Sequence, residues 1–219
     1  MSEKSYKYLD LLNTQQRKAV EATNGSLLVL AGAGSGKTRV LTYRIFHILL
    51  KKLATPSQIL AVTFTNKAAN EMKIRIGNLI NLPVDRMWVG TFHSLSLKIL
   101  RQHYEIVGLK KNFLIIDTDD QLKLVKKICE AEKIDTKEVS AKYYLNTIDS
   151  LKNKGISSEE LKENKYRKND IELRKVYSIY QSELIRMNCV DFGDLILHCL
   201  KIFRKNKSVL EKYQNFFKY

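Results

Sequence analysis

One stretch constrains the fold more than any other: Leu27-Leu28-Val29-Leu30-Ala31-Gly32-Ala33-Gly34-Ser35-Gly36-Lys37-Thr38. Four apolar residues, Leu27–Leu30, predict a buried strand, and the amphipathic run from Arg39 to Leu53 predicts a helix. Between them lies a glycine-rich turn ending in Lys-Thr, the strand–loop–helix context in which such a turn cradles phosphate groups. Gly32, Gly34 and Gly36 let the backbone curl so that N–H groups point at phosphate oxygens, and the helix N-terminus adds partial positive charge. Lys37 can reach β- and γ-phosphates, and the Thr38 hydroxyl can ligate Mg²⁺. Ala31 stands where the strict pattern has Gly, a position where a backbone cradle has no evident need of one. An ordinary glycine-rich turn is the competing reading, and the agreement of strand, loop and helix argues against it.

The pattern around this stretch alternates. Residues 9–24 predict a short helix capped by Asn13 or Thr14, with Ala19 and Val20 inward. Ile59–Phe64 and Met87–Thr91 predict further strands, separated by a helix from Lys67 to Ile80 and followed by one from Leu95 to Tyr104. Such βαβ alternation predicts a parallel sheet with functional loops at the strands' carboxyl ends. Phe64 falls at one such end, where an aromatic can stack on a base or serve the core. Thr91 and His93 fall at another, where they can hold strand phosphates; a satisfied structural histidine is equally open. Gln15 and Gln16 lie ahead of the loop, and a Gln amide matches an adenine edge, although a plain surface Gln reads as well. Arg39 can pack on a nucleotide or simply face solvent.

Beyond about Gly108 the pattern becomes helical. After a strand-like run at Leu114–Ile116, Asp117 or Thr118 caps a helix from Asp119 to Lys133. More helices are predicted at about 138–153, 157–163, 169–187, 191–205 and 207–217, with breaks at Gly155 and Glu163–Asp170. Tyr143, Tyr144, Tyr166, Tyr177 and Tyr180 lie among lysines, either as aromatic platforms for nucleic acid or as core with a solvated basic side.

Charge points to a polyanionic partner. The 219 residues carry 38 Lys and Arg against 23 Asp and Glu, a net charge of +15. A merely basic solvated surface is the alternative. Cys129, Cys189 and Cys199 show no CxxC spacing and read as reduced, buried thiols, as in a cytoplasmic protein. Neither a signal-peptide h-region nor an apolar run long enough to span a bilayer is present, so no membrane partner is expected.

Taken together, these segments resemble the UvrD/Rep/PcrA-type superfamily 1 DNA helicases. LNTQQRKAV is similar to the family's Q motif, which implies an adenine contact for Gln16. AGAGSGKTR is similar to motif I. It implies ATP contacts along Ala31, Gly32, Ala33, Gly34, Ser35, Gly36, Lys37, Thr38 and Arg39, with catalytic roles for Lys37 and Thr38 and Mg²⁺ on Thr38. AVTFTNKAANEM is similar to motif Ia and implies single-stranded DNA contacts for Thr63, Phe64 and Asn66. VGTFHS is similar to motif Ib and implies the same for Thr91 and His93. VDFGDLI, Val190–Ile196, resembles a segment near the end of the family's helical insertion; Gly193 stands where an acidic residue is frequent, and it is assigned no role.

The resemblance implies an α/β P-loop NTPase fold with an incomplete RecA-like parallel sheet and an inserted helical subdomain. Residues 1–108 correspond to the first part of ATPase domain 1A, and 109–219 to subdomain 1B. The implied activity is that of a 3′–5′ ATP-dependent DNA helicase of repair and replication. Single-stranded DNA and its junctions with duplex would be the substrates, and repair proteins would be partners through a longer parent. A naturally short binding module, a remnant of a split gene and a helicase–nuclease subunit are the alternatives.

The 219 residues contain no DExx element after Gln214-Asn215-Phe216-Phe217-Lys218-Tyr219, so the acidic groups that order Mg²⁺ and activate water are not among them. Missing groups of this kind cost on the order of 10³-fold or more in rate. The chain alone is therefore expected to show negligible DNA-stimulated ATP turnover. A steady-state phosphate-release assay checks this; fast, DNA-dependent turnover abolished by Lys37→Ala contradicts it.

Overall fold

The computed structural model describes residues 3–80, 84, 86–161 and 168–219. The chain divides into two compact units, Met1–Phe92 with Lys212–Tyr219, and His93–Glu211. Among the described residues helices dominate, accompanied by two small parallel sheets.

In the first unit a 3-10 segment, Glu3–Leu11, precedes helix α1, Thr14–Glu21. Within the predicted 9–24 the helix covers Thr14–Glu21, and the expected cap is Asn13, whose side chain accepts from Gln16 N (2.9 Å) while its own N–H donates to Gln16 Oε1 (3.2 Å). This reciprocal cap satisfies two backbone donors and fixes where the helix starts. Ala19 and Val20 are buried with Tyr8, Leu9, Leu12 and Val40. Helix α2 runs Lys37–Leu50, starting two residues earlier and ending three residues earlier than the predicted Arg39–Leu53. Lys52 adopts a left-handed φ of 56°, and Leu53 N donates to Ile48 O, which closes the last turn.

Strand β1, Leu60–Thr63, helix α3, Asn66–Ile80, and strand β2, Trp88–Thr91, form the βαβ unit the pattern predicted. The strands pair in parallel, Leu60 opposite Trp88 and Thr63 opposite Thr91. Ile45, Ile48, Ile59, Ala61, Met72, Ile76, Met87 and Val89 make the core between sheet and helices. The main chain of the last residues lies alongside the start of β1: Leu60 N donates to Tyr219 O (2.8 Å) and Lys218 N to Gln58 O (2.9 Å). Trp88 meets the rings of Tyr213 and Phe217 edge-on.

The expected buried strand at Leu27–Leu30 is not formed. The segment is extended without strand pairing, and Leu28 and Leu30 are 81% and 86% exposed. A strand exists only through ladder hydrogen bonds to a neighbour, and among the described residues no strand pairs with this one. Apolar content alone is not enough to make it a sheet element.

The second unit contains α4 from His93 onward (the helix is Phe92–His103), β3, Leu114–Ile115, α5, Thr118–Ala131, α6, Ala141–Asn153, α7, Lys168–Arg186, β4, Cys189–Val190, and α8, Phe192–Lys205. Helix α9, Lys207–Phe216, runs across the division between the units. Asp117, Ser140 and Asp191 cap α5, α6 and α8 with their side chains. Strands β3 and β4 pair in parallel, Leu114 opposite Cys189. Residues 157–161 form turns rather than the start of a predicted helix, and Gly155, at φ 73°, ends α6 as expected. Tyr166 lies outside the described residues. Of the other tyrosines, Tyr144, Tyr177 and Tyr180 are fully buried in a core with Val125, Ile128, Cys129, Ile148, Val176 and Leu184. Tyr143 is exposed. The core reading therefore holds for three of them. The three cysteines are free thiols and buried.

A cluster of charge lies inside this unit. Lys152 of α6 is buried, and its Nζ donates to Asp191 Oδ2 (2.6 Å) and Asp194 Oδ1 (2.7 Å). Tyr180 donates its hydroxyl to Asp191, and Gln181 its amide to Asp194. Burial disfavours the ammonium, but the two carboxylates outweigh it and hold the Lys152 pKa above its usual value.

Two buried histidines contribute to the response to acid. Burial pushes His47 down, with Lys51 adding to it, and burial likewise pushes His198 down against the pull of Asp194. Each binds its proton more readily in the unfolded chain, where the pKa is near 6.5. The stability they contribute is full above that value and is lost as pH falls from about 6.5 toward the lowered folded-state pKa. The urea midpoint is expected to fall between pH 7.5 and pH 5.5; a flat or rising midpoint refutes this.

Candidate nucleotide site and nucleic-acid interface

The glycine loop is built from backbone geometry. Gly34 and Gly36 sit at φ 75° and 85°, a region that favours glycine, and Gly36 serves as the N-cap of α2. Lys37 and Thr38 are thus the first residues of the helix, at its positive end. Ser35 Oγ donates to Gly32 O (2.7 Å), and Lys37 Nζ donates to Ala31 O (2.9 Å) and Gly32 O (2.6 Å). The lysine ammonium is therefore already folded over the loop.

Gln16 braces this loop from α1. Its Nε2 donates to Ser35 O (3.1 Å) while its Oε1 completes the Asn13 cap. A Cβ added at Gly36 would lie 3.0 Å from that Nε2, whereas one at Gly32 would meet open space. Arg39 donates to Leu11 O (2.7 Å) and lies 5.7 Å from the Tyr43 ring centroid. Gln16, the loop from Ala31 to Gly36, Lys37, Thr38 and Arg39 are thus gathered in one unit. The donor set fits a triphosphate: two left-handed glycines, a helix N-terminus, a lysine on the loop and a hydroxyl at Thr38.

The second group lies at the carboxyl ends of β1 and β2. The register places Thr63 beside Thr91. Thr91 Oγ1 donates to Asn66 Oδ1 at 3.5 Å, and Thr63 Oγ1 donates to Thr65 O (3.0 Å). Phe64 is 93% exposed and meets Phe92 edge-on at 6.5 Å. A large apolar ring left in solvent at a strand end is the informative kind of exposure. Thr63, Phe64, Asn66 and Thr91 therefore share one edge of the first unit.

His93 belongs to the second unit, where its ring stacks on Phe192, 3.8 Å between centroids and 16° from parallel. Burial lowers its pKa, so near neutral pH it offers a neutral ring and not a charge. Sequence reasoning gave no role to Phe92 or Phe192. Phe92 could have been noticed between Thr91 and His93, since it opens the helix that follows β2. Phe192 carries a weaker signal, an aromatic directly after an N-cap aspartate.

The loop geometry predicts a contrast between two glycines. Gly36→Ala must hold a Cβ at positive φ against Gln16, which costs about 1–2 kcal/mol of stability. Gly32→Ala is expected to change stability by less than about 0.5 kcal/mol. Chemical denaturation of the two variants checks this, and equal losses contradict it.

Comparison with known proteins identifies the family. The UvrD/REP helicase N-terminal domain family matches residues 12–219. The chain is 42% identical over 215 residues to the ATP-dependent DNA helicase PcrA of Bacillus subtilis, covering 98% of this chain and 29% of that protein. It is 41% identical over 211 residues to PcrA of Staphylococcus aureus, covering 96% of this chain and 29% of that protein. Against PcrA of Staphylococcus epidermidis it is 41% identical over 208 residues, 95% of this chain and 28% of the relative. The chain thus spans less than a third of the length of these relatives. On the match over residues 12–219, the chain belongs to the UvrD/REP helicase N-terminal domain family.

Proposed function

We propose that this chain is the ATP-binding and single-strand-binding portion of a 3′–5′ DNA helicase of repair and replication. The observation that carries this reading is the joint presence, in one unit, of a glycine loop opening a helix and an exposed aromatic at the strand ends. Residues 1–108 are read as the first part of a RecA-like ATPase domain, and 109–219 as its helical insertion.

Gln16 and Arg39 would hold the base and sugar of ATP, and the loop from Ala31 to Gly36 its phosphates. Phosphate oxygens would take over Lys37 from the carbonyls of Ala31 and Gly32, and Thr38 would ligate Mg²⁺. The metal, when bound, neutralises charge on the phosphates. Thr63, Asn66, Thr91 and His93 would hold the DNA backbone, with Phe64 stacking on a base. The net charge of +15 supplies attraction to the strand that salt weakens. Junctions of single-stranded and duplex DNA, and repair proteins, would be partners of the longer protein.

Fluorescence anisotropy with a labelled oligothymidylate tests the DNA reading. The chain is expected to bind with an affinity that falls steeply with salt, and Phe64→Ala to weaken it by about 1–3 kcal/mol. Unchanged affinity in that variant removes Phe64 from the site.

A further inference from the structure

We infer that Lys152 is a positioning residue for the DNA-facing His93, acting through Asp191, Asp194 and the first turn of α8. The inference rests on the DNA reading for its consequence. Its geometry stands by itself, because every residue involved lies in the second unit.

Lys152 comes near the end of α6, and its side chain is withdrawn from solvent. Its Nζ bridges the two carboxylates at 2.6 and 2.7 Å. Those carboxylates also build the start of α8. Asp191 Oδ1 accepts from Asp194 N (2.9 Å), and Asp194 Oδ2 accepts from Asp191 N (3.3 Å). One cation therefore neutralises both members of a capping box. Without it, two buried like charges would face each other across a single turn, and burial makes such repulsion severe.

The residue between the cap and that turn is Phe192. It is the first residue of α8, 57% exposed, and its ring lies on His93. Asp191 fixes its backbone on one side and Asp194 on the other. Whatever turns the start of α8 turns the ring that holds His93.

Gly193 ties the same elements together. A Cβ there would lie 3.0 Å from Lys152 Cδ, 3.1 Å from Lys152 Cβ and 3.4 Å from Asp191 Oδ1. The lysine stem passes over the glycine, in space that a side chain would occupy. This accounts for a glycine at this position. It also offers a way to push Lys152 without removing its charge.

The test uses the 219-residue chain and two readouts, the imidazole C–H resonances of His93 by NMR and anisotropy with labelled oligothymidylate. In the wild type the Phe192 ring current is expected to shift those resonances upfield. In Lys152→Met they move back toward the values of a free histidine, and DNA affinity falls about tenfold while far-UV circular dichroism keeps its helical signal. Gly193→Ala moves both in the same direction by less, and it decides the matter if Lys152→Met does not fold. Wild-type resonances and wild-type affinity in a folded variant overturn the inference. A shift of the resonances with no DNA binding by the wild type, or none lost in His93→Ala, supports the positioning and overturns the DNA reading.

Discussion

The charge cluster at Lys152 is the interaction on which the helical unit depends. Buried charges are tolerated only when paired and hydrogen-bonded. Here one ammonium meets two carboxylates, with Tyr180 and Gln181 supplying further donors. The cluster joins α6, α7 and the turn into α8 at one point. Beside it lie the buried rings of Tyr177 and Tyr180, their centroids 5.8 and 5.2 Å from the Lys152 ammonium, and Tyr144 belongs to the same apolar core. Tyr177 satisfies its hydroxyl on Ile156 O and Tyr144 on Glu172, so the large rings bury area without stranding a polar group. Apolar packing supplies the area of this core, while the directional bonds of the cluster specify how its helices meet.

The first unit is organised by backbone hydrogen bonding instead. Parallel pairing of β1 and β2 brings their carboxyl ends level, which gathers Thr63, Phe64, Asn66 and Thr91. The glycine loop relies on two left-handed residues and on Gln16, which ties the loop to the cap of α1. Lys37 closes the arrangement by donating to the loop's own carbonyls. A phosphate group placed there would compete for donors that already have partners. Binding there is an exchange of hydrogen bonds, so its affinity follows from the difference between two sets and not from one alone.

Legibility differed between local and distant features. The Asn13 cap, the glycine loop, the βαβ order and the break at Gly155 were readable because each is written in a few consecutive residues. The buried tyrosines were half readable: helical spacing pointed to a core face, but nothing marked Tyr143 as the one left outside among those described. The Lys152 cluster was invisible, since its partners lie 39 and 42 residues away and each reads alone as a surface charge. The stack of His93 on Phe192 was hidden for the same reason.

The sequence by itself determined the glycine loop, the family and the caps at Asn13, Asp117 and Asp191, because backbone preferences and side-chain caps act over one turn of chain. Tertiary structure alone decided which apolar runs became strands. Leu60–Thr63 and the two-residue Leu114–Ile115 found parallel partners and joined sheets. Leu27–Leu30, apolar throughout, found none among the described residues and stays extended and exposed. A helix closes its hydrogen bonds within itself, so its own residues can announce it. A strand closes them only on another segment, and no property of Leu27–Leu30 alone could reveal whether that segment is there.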